Sequence, residues 1–401
     1  MEVKGNATFK LSAMMFLQFF IWGAWLPLIF GYLPSLGFDA GQQSWILNAF
    51  TIGSFTALFF SAQFADRYFA AQRFVAFSHL IGGVAILALA WTKSFWPFFG
   101  LMLVHSLFYV PTISVTNAIA FSHVRDPQKE FGRIRLWGTI GWIVASWPFV
   151  FLLKGLEGEG LSAAKASTFV VAGIASLLLA ALSLTLPHTP PKPASETGEK
   201  LAWLEAVKLL KLPFVAVLFV VTFCDAMVHQ GYFVLTDTFL TKGVGIAPNW
   251  VMPVMSLGQI AEIGTMAVLG LVLKKLGWRL TMTIGVLGHA LRFAVFAFFP
   301  VQELVIASIL LHGICYAFFF ATVYIFVDEF FPKDVRSSAQ GLFNVLILGF
   351  GPFVANNVWP TLLTECTSGT TIDFRTLFAV PAGVALVAAL FLFAAFRPPR
   401  G

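Results

Sequence analysis

Charge is what this sequence has least of. Asp, Glu, Lys and Arg make up 11% of its 401 residues, against about 25% in an ordinary soluble protein. So few charges give too little polar surface for water on all sides, which excludes a soluble globular fold. Cysteine is also scarce. Cys224 and Cys315 stand in apolar blocks and Cys366 in a polar connection, a scatter that makes neither a disulfide framework nor a metal cluster. No phosphate-binding P-loop and no dinucleotide glycine fingerprint occurs, which excludes an ATP motor on this chain. No Ser–His pair, zinc-ligand set or carboxylate dyad stands at catalytic spacing, so an enzyme is not expected. A cleavable leader is not read either. The apolar stretch after Lys10 runs to Leu33, too long for a leader's core, and lacks a small-residue cleavage pattern.

What the chain has is apolar length: 58% of its residues are hydrophobic and 16% aromatic. About 20 residues, rising roughly 1.5 Å each, cross the hydrocarbon core of a bilayer. Blocks of that size stand near 11–33, 45–65, 74–92, 96–122, 134–154, 166–187, 212–237, 249–272, 280–299, 302–328, 337–363 and 375–397. In lipid each backbone polar group must bond within its own segment, so the blocks are read as helices. The expected fold is an all-α membrane protein of twelve transmembrane helices. The longest polar gap, 188–211, holds Pro190, Pro191, Pro193 and four lysines. It is read as a cytoplasmic linker between six-helix bundles at 1–187 and 212–401. Nineteen of the 25 lysines and arginines fall at the termini and in even-numbered connections, five in odd ones, and Arg292 alone lies within a span. That bias puts both termini in the cytoplasm.

The halves echo one another. Asp66-Arg67 with Arg73 follows the second block, and Lys274-Lys275 with Arg279 follows the eighth. Arg133 and Gly138 open the fifth span; Arg336 and Gly341 open the eleventh, 203 residues later. A parallel repeat of six helices resembles the major facilitator fold, whose substrate site lies between the halves near mid-membrane. Asp66-Arg67 is similar to the core of that superfamily's loop motif, although Ser61 stands near the place of its opening glycine.

An ionisable side chain at mid-bilayer costs roughly 2.5–3.5 kcal/mol on insertion scales, so each one needs a partner or a task. Arg135, Thr139 and Trp142 stand at i, i+4 and i+7 on the fifth span and share a face. They suit a polar, ring-bearing solute; the other reading makes Arg135 a cytoplasmic anchor like Arg133. Gln259 and Glu262 stand at i, i+3 on the eighth span. Glu262 is placed to bind substrate hydroxyls, to carry a proton, or to pair with Arg292. Asp225 and His229, four residues apart on the seventh span, are placed to pair, as a proton relay or as a structural pair. Gln230 points about 100° away from His229. His312 and Tyr316 are i, i+4 on the tenth span, beside Phe318, Phe319 and Phe320. For Gln18, Asn48, His79, His105, Asn117 and His289, interhelical hydrogen bonding is the expectation.

Several segments carry a more specific likeness. They are Leu17-Gln18-Phe19 with Trp22-Gly23-Ala24-Trp25, Tyr109-Val110-Pro111-Thr112 through Asn117, and Ile134-Arg135-Leu136-Trp137-Gly138-Thr139-Ile140-Gly141. Further on come Gln259-Ile260-Ala261-Glu262, Leu291-Arg292-Phe293-Ala294 and Ser338-Ala339-Gln340-Gly341. In this order and over nearly the whole length, the chain resembles the nucleoside:proton symporter family of the major facilitator superfamily. The resemblance implies secondary active import of nucleosides by alternating access, driven by protons, in a bacterial inner membrane or other plasma membrane. It places Arg135 and Thr139 against the substrate from the N-terminal half, and Trp142 joins them as a candidate by the face it shares with them. From the C-terminal half it places Gln230, Gln259 and Glu262 there, with Glu262 near the ribose hydroxyls; Tyr316 falls where the family has an aromatic and His312 where it often has a tyrosine, and both are candidates with Phe233. Phe233 stands where the family has an asparagine, and Ala317 is matched to a tenth-span aspartate tied to proton coupling. Glu262, Asp225 and His229 are therefore the proton-coupling candidates. The expected partners are a nucleoside, the proton and the lipid bilayer, for a monomer with no cofactor, metal or nucleic acid. An uncoupled facilitator and a non-transporting membrane sensor of the same fold stay open as alternatives.

Overall fold

The structure is a computed structural model that describes residues 2–60, 69–124, 127–191, 207–331 and 336–398. Asp66-Arg67, Arg125, Lys333 and linker positions 192–206 lie outside the described residues. Helices run from α1 (Glu2–Ser35) through α2 (Ala40–Phe60), α3 (Ala71–Leu89), α4 (Phe95–His123) and α5 (Pro127–Val144). Next come α6 (Trp147–Leu152), α7 (Gly158–Lys165), α8 (Ser167–Ser183), α9 (Pro213–Thr238) and α10 (Val251–Phe298). The last six are α11 (Gln302–Ile309), α12 (Leu311–Cys315), α13 (Thr322–Phe330), α14 (Arg336–Asn344), α15 (Gly351–Glu365) and α16 (Phe374–Ala395). Three π-helical stretches, Phe239–Gly243, Tyr316–Ala321 and Val345–Phe350, interrupt the α-helical pattern. Among the described residues, ten helical runs are long and apolar enough to cross a membrane. Large side chains such as Trp96 (74% exposed) and Phe151 (75%) point outward, as lipid rather than water would allow.

Blocks 249–272 and 280–299 form two helices that meet at a kink within the 48 residues of α10. A straight helix of that length would reach about 72 Å, more than twice a bilayer core. It breaks at Gly277, whose φ of 71° and ψ of 174° no L-residue adopts cheaply. Lys274, Lys275 and Arg279 surround the break and belong at a polar interface. Gly277→Ala should cost roughly 1–2 kcal/mol, read as a lower melting temperature in detergent. The contrast is Gly270→Ala, where a Cβ meets open space on helical backbone. It should be neutral or stabilising by about 0.5–1 kcal/mol.

The chain forms two compact units. Unit 1 holds residues 1–197 with 248–253. Within it α1 packs against α5 and α8, α3 against α4 and α8, and α2 against α4. The apolar window of α1 is 72% buried, so α1 is an inner helix of this unit. Lipid tails are as apolar as leucine, so close packing and interhelical hydrogen bonds hold such helices together. Gln18, His79, Thr112 and Ser176 supply those bonds from four helices. His79 bonds Gln18 Oε1 through Nε2 (2.9 Å) and Ser176 Oγ through Nδ1 (2.9 Å). Gln18 Nε2 donates to Thr112 Oγ1 at 3.0 Å, and the Tyr109 hydroxyl donates to the Gln18 carbonyl at 2.5 Å.

Unit 2 holds residues 198–247 and 254–401. There α9 packs on α15 and α16. Its core is aromatic and aliphatic, with Phe319, Phe320, Phe326, Phe343 and Phe396 around Met282, Val286 and Leu392. After α15 a two-residue antiparallel pair, Thr367–Ser368 with Thr371–Ile372, turns the chain toward α16. Asp373 caps α16 by accepting from the Thr376 amide (3.0 Å) and hydroxyl (2.6 Å). Those bonds hold its carboxyl below the usual carboxylate range.

Candidate functional site

In unit 1 the residues singled out by spacing lie along α5. The Arg135 guanidinium stacks on the Phe19 ring of α1, with Cζ 3.9 Å from the centroid. Stacking engages the flat face of the guanidinium and leaves its edge, which carries the donors, for in-plane bonding. One turn on is Thr139, and beyond it Trp142 sits edge-on to Trp22 at 5.4 Å. Trp22 in turn stacks on Phe50 at 4.9 Å. Arg135, Thr139 and Trp142 are all half-buried. The face therefore offers a charged donor edge, a hydroxyl and ring planes.

In unit 2, α10 and α12 approach so closely that the Gln259 amide reaches His312 Nε2 at 3.4 Å. Phe233 stands edge-on to the His312 ring, centroids 5.9 Å apart, and Tyr232 lies 5.1 Å from it. His312 is 2% exposed and Gln259 7%. Gln230 donates to Asn356 Oδ1 of α15 at 2.9 Å. Glu262 and Tyr316 are half-buried, Tyr316 beside Phe320 at 6.0 Å. Gln259, His312 and Phe233 are thus brought together, and Gln230 joins a second amide on α15.

Behind Gln259 and His312 runs a chain of polar groups. Arg292 Nη1 lies 3.1 Å from His312 Nδ1, and Nη2 lies 2.9 Å from His289 Nδ1. The guanidinium rests on the Tyr232 ring at 4.1 Å. His289 Nε2 faces Asp225 Oδ2 at 3.7 Å. Asp225, His289 and Arg292 are all 0% exposed.

One expectation is corrected here. Asp225 and His229 share a helix at the right spacing but do not pair. The carboxylate turns toward His289 of α10. His229 lies among rings instead, 5.0 Å from His312 and 5.1 Å from Phe320, with Nδ1 unbonded. Arg292 donates to the two other histidines, His289 and His312. Ala317, matched by resemblance to a carboxylate position, is fully buried in an apolar cluster with Leu269 and Phe318. A carboxylate there would meet no donor from that cluster.

His289, Arg292, Tyr232 and Asn356 are the side chains that spacing alone did not bring into the site. One signal was present: His289 and Arg292 are i, i+3 on one helix face, as buried partners often are.

The family model described as "Nucleoside H+ symporter" matches residues 5–401. The chain is 33% identical over 410 residues to the "Putative nucleoside transporter YegT" of Escherichia coli, covering 96% of this chain and 93% of that one. It is 29% identical over 411 residues to the E. coli "Xanthosine permease", covering 97% and 95%. A crystal structure of a mutant of the nucleoside transporter NupG matches with a TM-score of 0.88 at 26% identity, covering 98% of this chain and 100% of that one.

Proposed function

The chain belongs to the nucleoside:proton symporter family, and from that membership we propose that it imports nucleosides by alternating access, coupled to protons. The observation that carries the reading is the Gln259–His312 pair set among Tyr232 and Phe233. A nucleoside has a flat base with donor and acceptor edges and a ribose with neighbouring hydroxyls. Amide and imidazole groups suit the base edge, rings suit its faces, and a carboxylate such as Glu262 suits the hydroxyls. In this reading Arg135, Thr139 and Trp142 of unit 1 bind substrate. Gln230, Phe233, Gln259, Glu262, His312 and Tyr316 of unit 2 bind it as well.

The reading takes the protein as a monomer of twelve spans, both termini cytoplasmic, in a bacterial inner membrane. Counting α10 as two spans across Gly277 and adding α2 to the ten apolar runs supports that count. The lysine and arginine bias supports the orientation.

A thermal-shift screen tests the substrate class. Adenosine, uridine, inosine and xanthosine are compared with glucose and free nucleobases on purified protein. A bound nucleoside at a hundred times its Kd adds about 2.7 kcal/mol of stability, so at least one should raise the melting temperature by several degrees while glucose does not. Equal shifts with glucose, or none with any nucleoside, would sink the reading. Ala317 favours one other reading, an uncoupled facilitator, whose flux in proteoliposomes would ignore an imposed pH gradient.

A further inference from the structure

Nucleoside recognition leaves unexplained why α9 and α10 bury a carboxylate and a guanidinium in the same span-deep cluster. Asp225 has no hydrogen-bond donor on either oxygen among the described residues; its contact is the 3.7 Å approach of His289. The protonation pattern follows from the donors. A guanidinium only donates, so His289 Nδ1 and His312 Nδ1 both accept from Arg292. Each neutral ring then carries its hydrogen on Nε2. His289 aims that N–H at Asp225. His312 aims its own at the Gln259 amide, whose Nε2 stands 3.4 Å away; two donors cannot bond, so we assign the amide with its oxygen toward His312. Neither imidazole can take a second proton without giving up Arg292. Asp225 is the member of this ladder with an open proton position.

We propose that Asp225 carries the coupling proton, and that Arg292, held between His289 and His312, is the positioning residue that links it to the Gln259–His312 end of the site. The inference rests on the proton-coupled nucleoside reading above. One O–H bond forms on the Asp225 carboxylate when a proton enters from one side, and the same bond breaks when it leaves to the other. With the carboxylate ionised, its charge and that of Arg292 cancel through His289. With it protonated, Arg292 stands uncompensated. A nucleoside that draws on Gln259 and His312 pulls at the same guanidinium from the other end. The ionisable groups around Asp225 are Cys224, His229 and Tyr232 on α9, His289 and Arg292 on α10, and His312 and Cys315 on α12. On the other side of α9 pack the stretch Val345–Phe350 and the helices α15 and α16, whose ionisable side chains, Glu365 and Arg375, stand at the last residue of α15 and the second of α16.

The test uses the full chain in proteoliposomes with tritiated uridine, inosine and xanthosine. With one pH unit directed inward and one proton per nucleoside, wild type should accumulate its substrate about ten-fold. Asp225→Asn should only equilibrate, to a ratio of about one, yet still exchange labelled for unlabelled nucleoside, which needs no net proton movement. Glu262→Gln should need more nucleoside for half-maximal uptake but keep pH-driven accumulation. If Asp225→Asn is not recovered folded, the double variant Asp225→Asn/Arg292→Gln removes both charges together and carries the same expectation. Arg292→Lys should move the pH of half-maximal accumulation, which a merely structural arginine would leave in place. Wild-type accumulation in either Asn variant overturns the assignment, and its loss in Glu262→Gln alone moves the coupling proton to Glu262. A wild-type ratio that stays at one instead removes the coupling beneath the inference, so the two failures are distinguishable.

Discussion

Arg292→Met should destabilise the protein by about 3–5 kcal/mol, the cost of breaking a buried pair on one side. Arg292 is fully buried, donates to two histidines and lies 4.1 Å over Tyr232. Methionine fills most of the volume, so the loss is electrostatic rather than a cavity. It leaves both imidazole Nδ1 atoms without a donor and Asp225 without its counter-charge. Asp225→Asn alone should cost less, because the asparagine is neutral and the guanidinium keeps its two histidines. The double variant Asp225→Asn/Arg292→Met should be more stable than Arg292→Met alone, the signature of an interacting pair in a double-mutant cycle. Melting temperatures of the three variants in detergent decide it. An Arg292→Met protein that melts with wild type would show that the guanidinium is not what compensates the carboxylate.

Gly313→Val should lower nucleoside uptake by more than ten-fold and cost about 1–3 kcal/mol of stability. A Cβ built on Gly313 would run into the backbone of Ala261 and Glu262, atoms that cannot rotate away. On the other side of the same crossing, the position of a Cβ on Gly258 is 2.9 Å from His312 Cβ. The two helices meet here because both lack side chains at the contact. Valine would push α12 off α10, pulling His312 from Gln259 and moving Glu262 with its backbone. Gly264→Val is the control, since a Cβ there meets open space. Initial rates of uptake at equal amounts of folded protein separate the effect on the site from the effect on yield. Equal rates for the two variants would mean that the crossing does not set the site.

Much of the helical architecture was legible in residues because lipid leaves few choices. A run such as 375–397 must satisfy its own backbone, and α16 (Phe374–Ala395) accordingly follows it within two residues at each end. The partnership of Asp225 was not legible. Spacing along one helix favours His229, but a span buried on several sides lets a carboxylate turn to another helix, and His289 is 64 residues away in sequence. The charge at Arg292 was visible, and so was its i, i+3 neighbour His289; what the sequence lacked was the fact that α10 turns both toward α9. The break at Gly277 had a local signal, a glycine among basic residues, whereas the crossing at Gly313 had none, since glycine is common throughout these spans.

The π-helical stretch Tyr316–Ala321 stores one residue of slack in the middle of a span. Just past its end the Thr322 hydroxyl donates to the Ala317 carbonyl five residues back, 3.0 Å away. One extra residue turns everything beyond it by about 100° around the helix axis. The face that His312 shows upstream therefore does not continue by three-and-four counting to Val323 and Phe326, eleven and fourteen residues on. Taking that one residue out would leave α12 and α13 each helical but re-aim one against the other, as a keyed shaft turns when its key is moved by one slot.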